Sequence, residues 1–163
     1  MKIIGIDPGL SGAIAVLENN KVLNIFDMPI MSEGKKNKRQ LNSALLVNLI
    51  KENIASNEDV SVVVEQVNAM PGQGVTSMFN FGQTFGAIKG VCAALELPIF
   101  FVRPSKWKKH FELINSSKDS SRTKAIEMYP KLSNQLSKKK DVNKSDAILI
   151  ARFFCETRLT EEN

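Results

Sequence analysis

The run Val-Ser-Val-Val-Val at residues 60–64 constrains the fold of this chain most strongly. Its β-branched residues do not alternate with polar ones, which is typical of a strand that is buried on both faces of a sheet. Both faces must then be covered, and helical spacing of apolar residues over 41–54 and 76–95 predicts a helix on either side of this strand in the chain. We therefore expect an α/β fold with helices on both faces of the sheet.

The other segments complete this sheet. Three strand patterns separated by turn residues predict an antiparallel meander at the start of the chain, and the polar, basic segment 32–40 is expected to be a loop. The expected elements are strands at Lys2–Asp7, Ala13–Glu18, Val22–Asp27, 60–65 and 98–102, with further helices near Ser121–Tyr129 and from Asn143 to Arg158. The order β-β-β-α-β-α-β-α-α predicts a mixed five-stranded sheet in one domain, residues 1–163.

Positive charge is concentrated in one part of the chain. The segment from Arg103 to Lys144 contains 12 Lys/Arg and 4 Asp/Glu, whereas the whole chain has a net charge of +5. Such a zone suits a nucleic-acid backbone, although a solvated basic face is the simpler alternative. Cys92 and Cys155 lack metal-ligand spacing and are expected to be free thiols of a cytoplasmic protein. No signal peptide and no membrane-spanning stretch of about 20 apolar residues is predicted.

Three acidic residues stand at the ends of predicted elements. Asp7 ends the first strand before Pro8-Gly9, Glu65 ends the valine-rich strand, and Asp146 lies at the start of the last helix. Each alone is more often a turn or capping residue, but a parallel arrangement of the two strands would bring the acids together. Two carboxylates about 4 Å apart repel by roughly 4 kcal/mol at an effective dielectric near 20, so a cation is needed.

The chemistry of these acids favours hard metal ions. An all-oxygen site without His or Cys suits Mg²⁺ or Mn²⁺ better than zinc. Two such ions can activate water and stabilise the leaving oxygen of a phosphodiester. We therefore expect a two-metal phosphodiesterase site, with no small-molecule cofactor.

These motifs together resemble the RuvC family of Holliday junction resolvases, especially its phage and phage-like members. The resemblance is carried by GIDPGLSGA, VVVEQV, VRPSKWKK with SSKDSSRTKAIEMYP, and KKKDVNKSDAILIA, which span nearly the whole chain. It implies a ribonuclease H-like fold, a homodimer, Mg²⁺ with two ions per site, and paired nicks across a four-way DNA junction.

The resemblance also implies roles for individual residues. Asp7, Glu65 and Asp146 fall on the metal-binding acids of the family. Lys108 and Lys118 fall near its phosphate-binding lysines, and Asn68 or Met70 stands where cellular members place an aromatic wedge, so all four are expected DNA contacts. The further expected DNA contacts belong to the basic segment itself and are Arg122, Lys138, Lys139 and Lys140.

The fourth metal ligand is where the chain departs from the family pattern. Asn143 stands three residues before Asp146, where cellular members commonly carry an acid or His, and Asp141 stands five before. We expect Asn143 to be the N-cap of the last helix, which leaves Asp141 in a flexible approach from which it can reach the metal. The expected catalytic set is therefore Asp7, Glu65, Asp141 and Asp146.

Two other functions remain open from the sequence. A catalytically inert protein that binds branched nucleic acid would share the fold and the basic zone, although the three acids argue against it. Sugar kinases and actin-like ATPases also begin with a GIDxG-like strand and turn. They need longer chains and glycine-rich nucleotide motifs, which do not occur here.

Three further features have mainly structural interpretations. Trp107 is expected to anchor its helix to the core rather than to stack on a base, and His110 is expected to lie at the surface or contact a phosphate. Gly82, Gly86 and Gly90 recur every four residues. They predict close packing of their helix, either on the sheet or on a second subunit.

Overall fold

The structure is a computed structural model that describes residues 1–34, 38–69 and 71–161. The strands are β1 (Lys2–Asp7), β2 (Ala13–Glu18), β3 (Lys21–Asp27), β4 (Ile30–Glu33), β5 (Lys38–Leu41), β6 (Val60–Glu65) and β7 (Ile99–Val102). The α-helices are α1 (Ser43–Asn53), α2 (Val75–Ala94), α3 (Pro104–His110), α4 (Ser120–Met128) and α5 (Val142–Glu161), and 3₁₀ turns occupy Pro130–Leu132 and Lys139–Asp141.

Five of these strands form one mixed sheet in the order β3-β2-β1-β6-β7. Strand β1 is antiparallel to β2 and parallel to β6, and β6 is parallel to β7. In the register of the central pair, Ile6 lies opposite Val64. The next residues, Asp7 and Glu65, therefore stand at the same end of the sheet, and the mixed five-stranded sheet expected from the sequence is confirmed.

Helices cover both faces of this sheet. Side chains alternate between the faces along each strand, so Val63 packs with α3, α4 and α5, while Val62 and Val64 pack with α1 and α2. All three valines are fully buried. The valine-rich run was therefore correctly interpreted as a central strand with two covered faces.

The segment expected to be a loop contains the two-stranded hairpin β4–β5 instead. Ile30 pairs with Leu41, and the backbone N–H of Asn42 donates to the Pro29 carbonyl at the base of the hairpin. Leu41 is buried beneath it. Because most of the remaining hairpin residues are polar, no apolar alternation marks the two strands in the sequence.

The last helix begins earlier than expected. The 3₁₀ turn Lys139–Asp141 runs directly into α5 at Val142, so the prediction that Asn143 is the N-cap is wrong. Asn143 lies inside the first turn of α5, where its side-chain amide donates to the Ser11 carbonyl. No helix in the described part of the chain is long and apolar enough to cross a membrane.

Candidate active site

Helix α5, which carries Asp146, packs against the sheet near the end where Asp7 and Glu65 stand. A close approach between β1 and α5 makes this possible: a Cβ atom on Gly5 would overlap the Ala147 carbonyl oxygen and lie 2.8 Å from Ala151 Cβ. Only glycine at this position lets the helix backbone lie directly on the strand. The chain neighbour of Ala147, Asp146, is thereby placed beside the strand-end acids.

The turn after Asp7 holds that residue at the edge of the sheet. The Gly9 N–H lies 3.4 Å from Asp7 Oδ1, and the Gly12 N–H donates to the Gly9 carbonyl. A Cβ on Gly12 would overlap the Asp7 carbonyl oxygen. Asn143 donates to Ser11 in the same turn, which ties the start of α5 to the strand end that carries Asp7.

The three carboxylates are half-buried, and they lie close enough together for like charge to affect their pKa values. Burial first, then the charges of Glu65 and Asp146, raise the pKa of Asp7 to about 7. Burial likewise raises the pKa of Asp146 to about 6, with Glu65 adding to the rise and a hydrogen bond from Ser121 opposing it. In both acids, burial and like charge therefore raise the pKa by more than the nearby cations lower it.

Glu65 is held by its neighbours on α3. The Trp107 indole N–H donates to Glu65 Oε1 at 2.9 Å. Burial raises the pKa of Glu65, while this hydrogen bond and the charge of Lys108 oppose the rise. Lys108 also lowers the pKa of Asp7 and of Asp146, so this cation is shared by all three acids.

The donor set fits a hard divalent cation. Asp146 Oδ1 is buried and has no hydrogen-bond partner, although a buried carboxylate oxygen normally has one. Within the described ranges, no three His, Cys, Asp or Glu side chains already form a metal-binding group. Carboxylate oxygens are nevertheless the ligands that a hard cation such as Mg²⁺ takes.

Asp141 is not placed with these acids, which corrects the expectation that it lies in a flexible approach to the metal. Its Oδ2 accepts from the backbone N–H of Lys138 at 2.8 Å, and its Oδ1 lies 3.3 Å from Lys144 Nζ. The side chain is almost completely buried. Asp141 therefore caps the 3₁₀ turn that leads into α5, and both of its oxygens are engaged there.

Comparison with known proteins agrees with this architecture. Neither a protein-family model nor a curated protein sequence matches the chain. Thermus thermophilus RuvC is 16% identical, with a TM-score of 0.57 over 97% of this chain and 97% of that chain. The T. thermophilus RuvC in complex with Holliday junction substrate is 15% identical, with a TM-score of 0.61 over 97% of this chain and 96% of that one. This chain has the RuvC-like, ribonuclease H-like fold.

The lysines expected to contact DNA lie beside the acids of this RuvC-like fold. Lys118 lines a cavity of about 360 Å³ that also contains Lys108 and Asp146. It lines a second cavity, of about 390 Å³, together with Lys139 and Lys140. The two cavities share Lys118, so a basic surface extends from the acids toward the start of α5. Lys138, the chain neighbour of Lys139, is exposed beside this surface.

Two other expected DNA contacts have different surroundings. Arg122 forms a two-pronged ion pair with Asp119, at 2.8 and 2.7 Å, and donates to the Leu136 carbonyl. Its guanidinium is thus engaged in contacts within the chain, and its contact with DNA stays a prediction. Asn68 is exposed and lines two small cavities beside α2. Met70 lies outside the described residues.

The glycine ridge of α2 does not pack on the sheet. A Cβ added at Gly82, Gly86 or Gly90 would meet no atom within 4 Å, so this alternative is wrong. Val75 and Phe79, on the first turns of the same helix, are 79% and 65% exposed. One long helix therefore presents small and apolar residues to its surroundings.

Sequence reasoning missed two residues of the site. Trp107 was expected only to anchor α3, and Ser121, which hydrogen-bonds to Asp146, was not singled out. Trp107 is 42 residues from Glu65, and Ser121 is 25 residues from Asp146. Contacts over such separations have no sequence spacing from which they could be found, because they depend on how α3 and α4 pack beside the sheet.

Proposed function

We propose that this protein is a divalent-metal-dependent endonuclease of the phage-like RuvC type, which hydrolyses phosphodiesters in branched DNA in the cytoplasm. The observation that carries the proposal is that Asp7, Glu65 and Asp146, all half-buried, lie close enough at one end of a RuvC-like sheet for like charge to raise the pKa of Asp7 and of Asp146. Isolated structural acids would not be expected to cluster at one half-buried site despite their like charge. The four-way junction is the proposed principal substrate, and residues 1–163 act as one nuclease domain.

The three acids would hold Mg²⁺, or Mn²⁺ in its place. When bound, a pair of such ions supplies an activated water and stabilises the leaving oxygen of a phosphodiester. Lys108 offsets the negative charge of the acids and of an approaching phosphate. Lys118, Lys139 and Lys140 attract the DNA backbone toward the site because they form a continuous basic surface beside Asp146.

We further propose that the protein acts as a homodimer. Two symmetric nicks in a junction require two active sites, and α2 offers a surface for a second copy. Val75, Phe79 and the three glycines would let two α2 helices approach closely, because nothing within the described chain covers these glycines. A monomer found by light scattering with junction bound would contradict this assembly.

A cleavage assay separates the proposal from its alternatives. Purified protein is incubated with a labelled four-way junction, a linear duplex of the same sequence, or ATP, each with Mg²⁺ or with EDTA. We expect Mg²⁺-dependent paired nicks in the junction and much slower cleavage of the duplex. Binding without nicking would favour an inert nucleic-acid-binding protein, and ATP turnover would favour the kinase-like or actin-like alternative.

Binding measurements at several salt concentrations test the basic surface. Each phosphate contact contributes roughly 0.9 to the slope of log K against log salt, so Lys118→Ala should flatten the slope by about one contact. Lys51→Ala is the matched control, because Lys51 is exposed on α1, which covers the other face of the sheet. An equal change in both variants would contradict the proposed DNA path.

A further inference from the structure

Trp107 lies between two oppositely charged groups of the candidate active site. It is the only tryptophan of the chain and is fully buried. Its indole N–H donates to Glu65 Oε1 at 2.9 Å, while Lys108 Nζ lies 5.3 Å from the centre of its ring. One rigid side chain therefore contacts a proposed metal ligand through its polar edge and the shared cation through its face.

We propose that Trp107 is a positioning residue that fixes the Glu65 carboxylate for metal binding and holds Lys108 beside it. The inference rests on the proposed function, because it assigns a role within the same metal site. Trp107 itself is not a metal ligand. It acts through Glu65 and Lys108.

The geometry explains why an indole suits this role. A glutamate side chain loses rotamer freedom when it is ordered, and Glu65 is half-buried at the end of a strand. A hydrogen bond from a buried indole, whose own ring is fixed by the core, restricts the carboxylate before any metal arrives. Because Oε1 is engaged, Oε2 is presented in one orientation.

The position of Lys108 follows from the same side chain. A cation near an aromatic face is attracted by the ring, and more strongly when it is desolvated. Lys108 is half-buried and next to Trp107 in α3. Its charge bears on Asp7, Glu65 and Asp146 alike. Trp107 thereby keeps this cation near the acids instead of leaving it free in solvent.

A purely structural role is the competing explanation. A buried indole N–H needs an acceptor in any protein, and Trp107 also fills the core between α3 and the sheet. That explanation predicts that removing the indole lowers stability and leaves metal affinity unchanged in the folded fraction. The positioning role predicts a specific loss of metal affinity.

Calorimetric titration with Mn²⁺ in the absence of DNA distinguishes the two. Loss of a residue that orients a metal ligand typically weakens metal binding by roughly 10–100-fold, so we expect a loss of about 10-fold or more in Trp107→Phe. The matched control is Phe111→Leu, a truncation in the same core cluster at the end of α3. It should lower the melting temperature and leave Mn²⁺ affinity unchanged. Equal affinity in Trp107→Phe and wild type, or an equal loss in both variants, would overturn the inference.

An isosteric replacement covers the case in which Trp107→Phe does not fold. Benzothienylalanine at position 107 keeps the bicyclic shape and replaces the indole N–H by sulfur, so it removes only the hydrogen bond to Glu65. We expect weaker Mn²⁺ binding with a nearly unchanged melting temperature. Unchanged Mn²⁺ binding in this folded variant would also overturn the inference.

A double-mutant cycle separates failure of the inference from failure of the proposed function. If Trp107 acts through Glu65, adding Trp107→Phe to Glu65→Gln should weaken Mn²⁺ binding far less than Trp107→Phe does alone. Full additivity would overturn the positioning role. If Glu65→Gln by itself leaves Mn²⁺ affinity at the wild-type value, the proposed metal site fails, and the inference fails with it.

Discussion

Asp141 and Asp146 stand five residues apart where the last 3₁₀ turn leads into α5, and the structure treats their oxygens differently. Both oxygens of Asp141 are engaged, one by the Lys138 backbone and one by Lys144. Asp146 has one buried oxygen without a partner and a raised pKa. Both oxygens of Asp141 therefore have a partner, whereas one oxygen of Asp146 has none.

This difference separates two uses of a buried carboxylate. A buried acid with two donors stabilises the local structure, because its hydrogen bonds replace those it made with water. An acid that has one buried oxygen without a donor and that faces like charges lowers stability unless a ligand offsets the cost. On this criterion we assign Asp141 to the fold and Asp146 to the proposed metal site.

The largest expected effect is on cleavage. Asp146→Asn removes an anionic ligand, and we expect junction cleavage in Mg²⁺ to fall by roughly 100-fold or more, with junction binding kept. Asp141→Asn is the matched control, because it makes the same chemical change five residues away and should leave cleavage near the wild-type rate. Single-turnover gel assays at saturating Mg²⁺ measure both. If Asp141→Asn abolished nicking and Asp146→Asn did not, the two assignments would have to be exchanged.

The second prediction concerns the stability of the metal-free protein. The pKa of Asp7 rises from 3.8 to about 7 and that of Asp146 from 3.8 to about 6. Between about pH 4 and pH 7 the folded chain then binds more protons than the unfolded chain, so the free energy of unfolding decreases as the pH rises. Thermal melting in EDTA should show a falling melting temperature across this window.

Asp7→Asn provides the check on this pH dependence. The variant lacks the acid with the higher of these two pKa values, so its melting temperature should fall less between pH 5 and pH 7. It should also exceed that of the wild type at the upper end of the window, because a buried charge has been removed. A wild-type melting temperature that is flat or rises with pH would contradict the raised pKa values of these two acids.

Much of the fold could be predicted from the sequence because its signals are local. The ends of β1 and β2 match the expected bounds, and the valine-rich strand ends at Glu65 as expected. Each of these strands carries an apolar run that a turn or a polar residue ends. The hairpin β4–β5 was missed because its polar strands show no such pattern and are fixed largely by Leu41 and the Asn42–Pro29 hydrogen bond.

The candidate site was predicted less completely, because some of its residues depend on contacts between distant parts of the chain. Asp7, Glu65 and Asp146 are marked by their positions at the ends of elements, so their grouping could be anticipated. Asn143 and Asp141 are both good capping residues, and their roles depend on whether the chain before α5 forms a 3₁₀ turn. Tertiary contacts determine whether this turn forms, since Asn143 donates a hydrogen bond to Ser11, a residue 132 positions away in the sequence.

The third prediction concerns the stability contributed by the 3₁₀ turn. Asp141→Ala removes the acceptor of the Lys138 N–H and one of the two acidic partners of Lys144, whose other partner is Asp27 at 3.4 Å. Because Lys144 keeps that partner, we expect a loss close to that of a helix cap, about 1 kcal/mol in the free energy of unfolding. Urea denaturation measures it, and unchanged stability would show that the turn does not depend on this carboxylate.

The smallest expected effect belongs to Asn143, whose amide joins α5 to the turn after Asp7. Asn143→Ala removes one hydrogen bond at a partly exposed site, so we expect a loss of about 0.5–1 kcal/mol and only a slight rise in the Mg²⁺ concentration needed for cleavage. Ser11→Ala is the control, because Ser11 accepts through its backbone carbonyl, which alanine keeps; this variant should match the wild type in both measurements. A large rise in the Mg²⁺ requirement of Asn143→Ala, without a comparable loss of stability, would instead show that the Asn143 amide oxygen is a metal ligand.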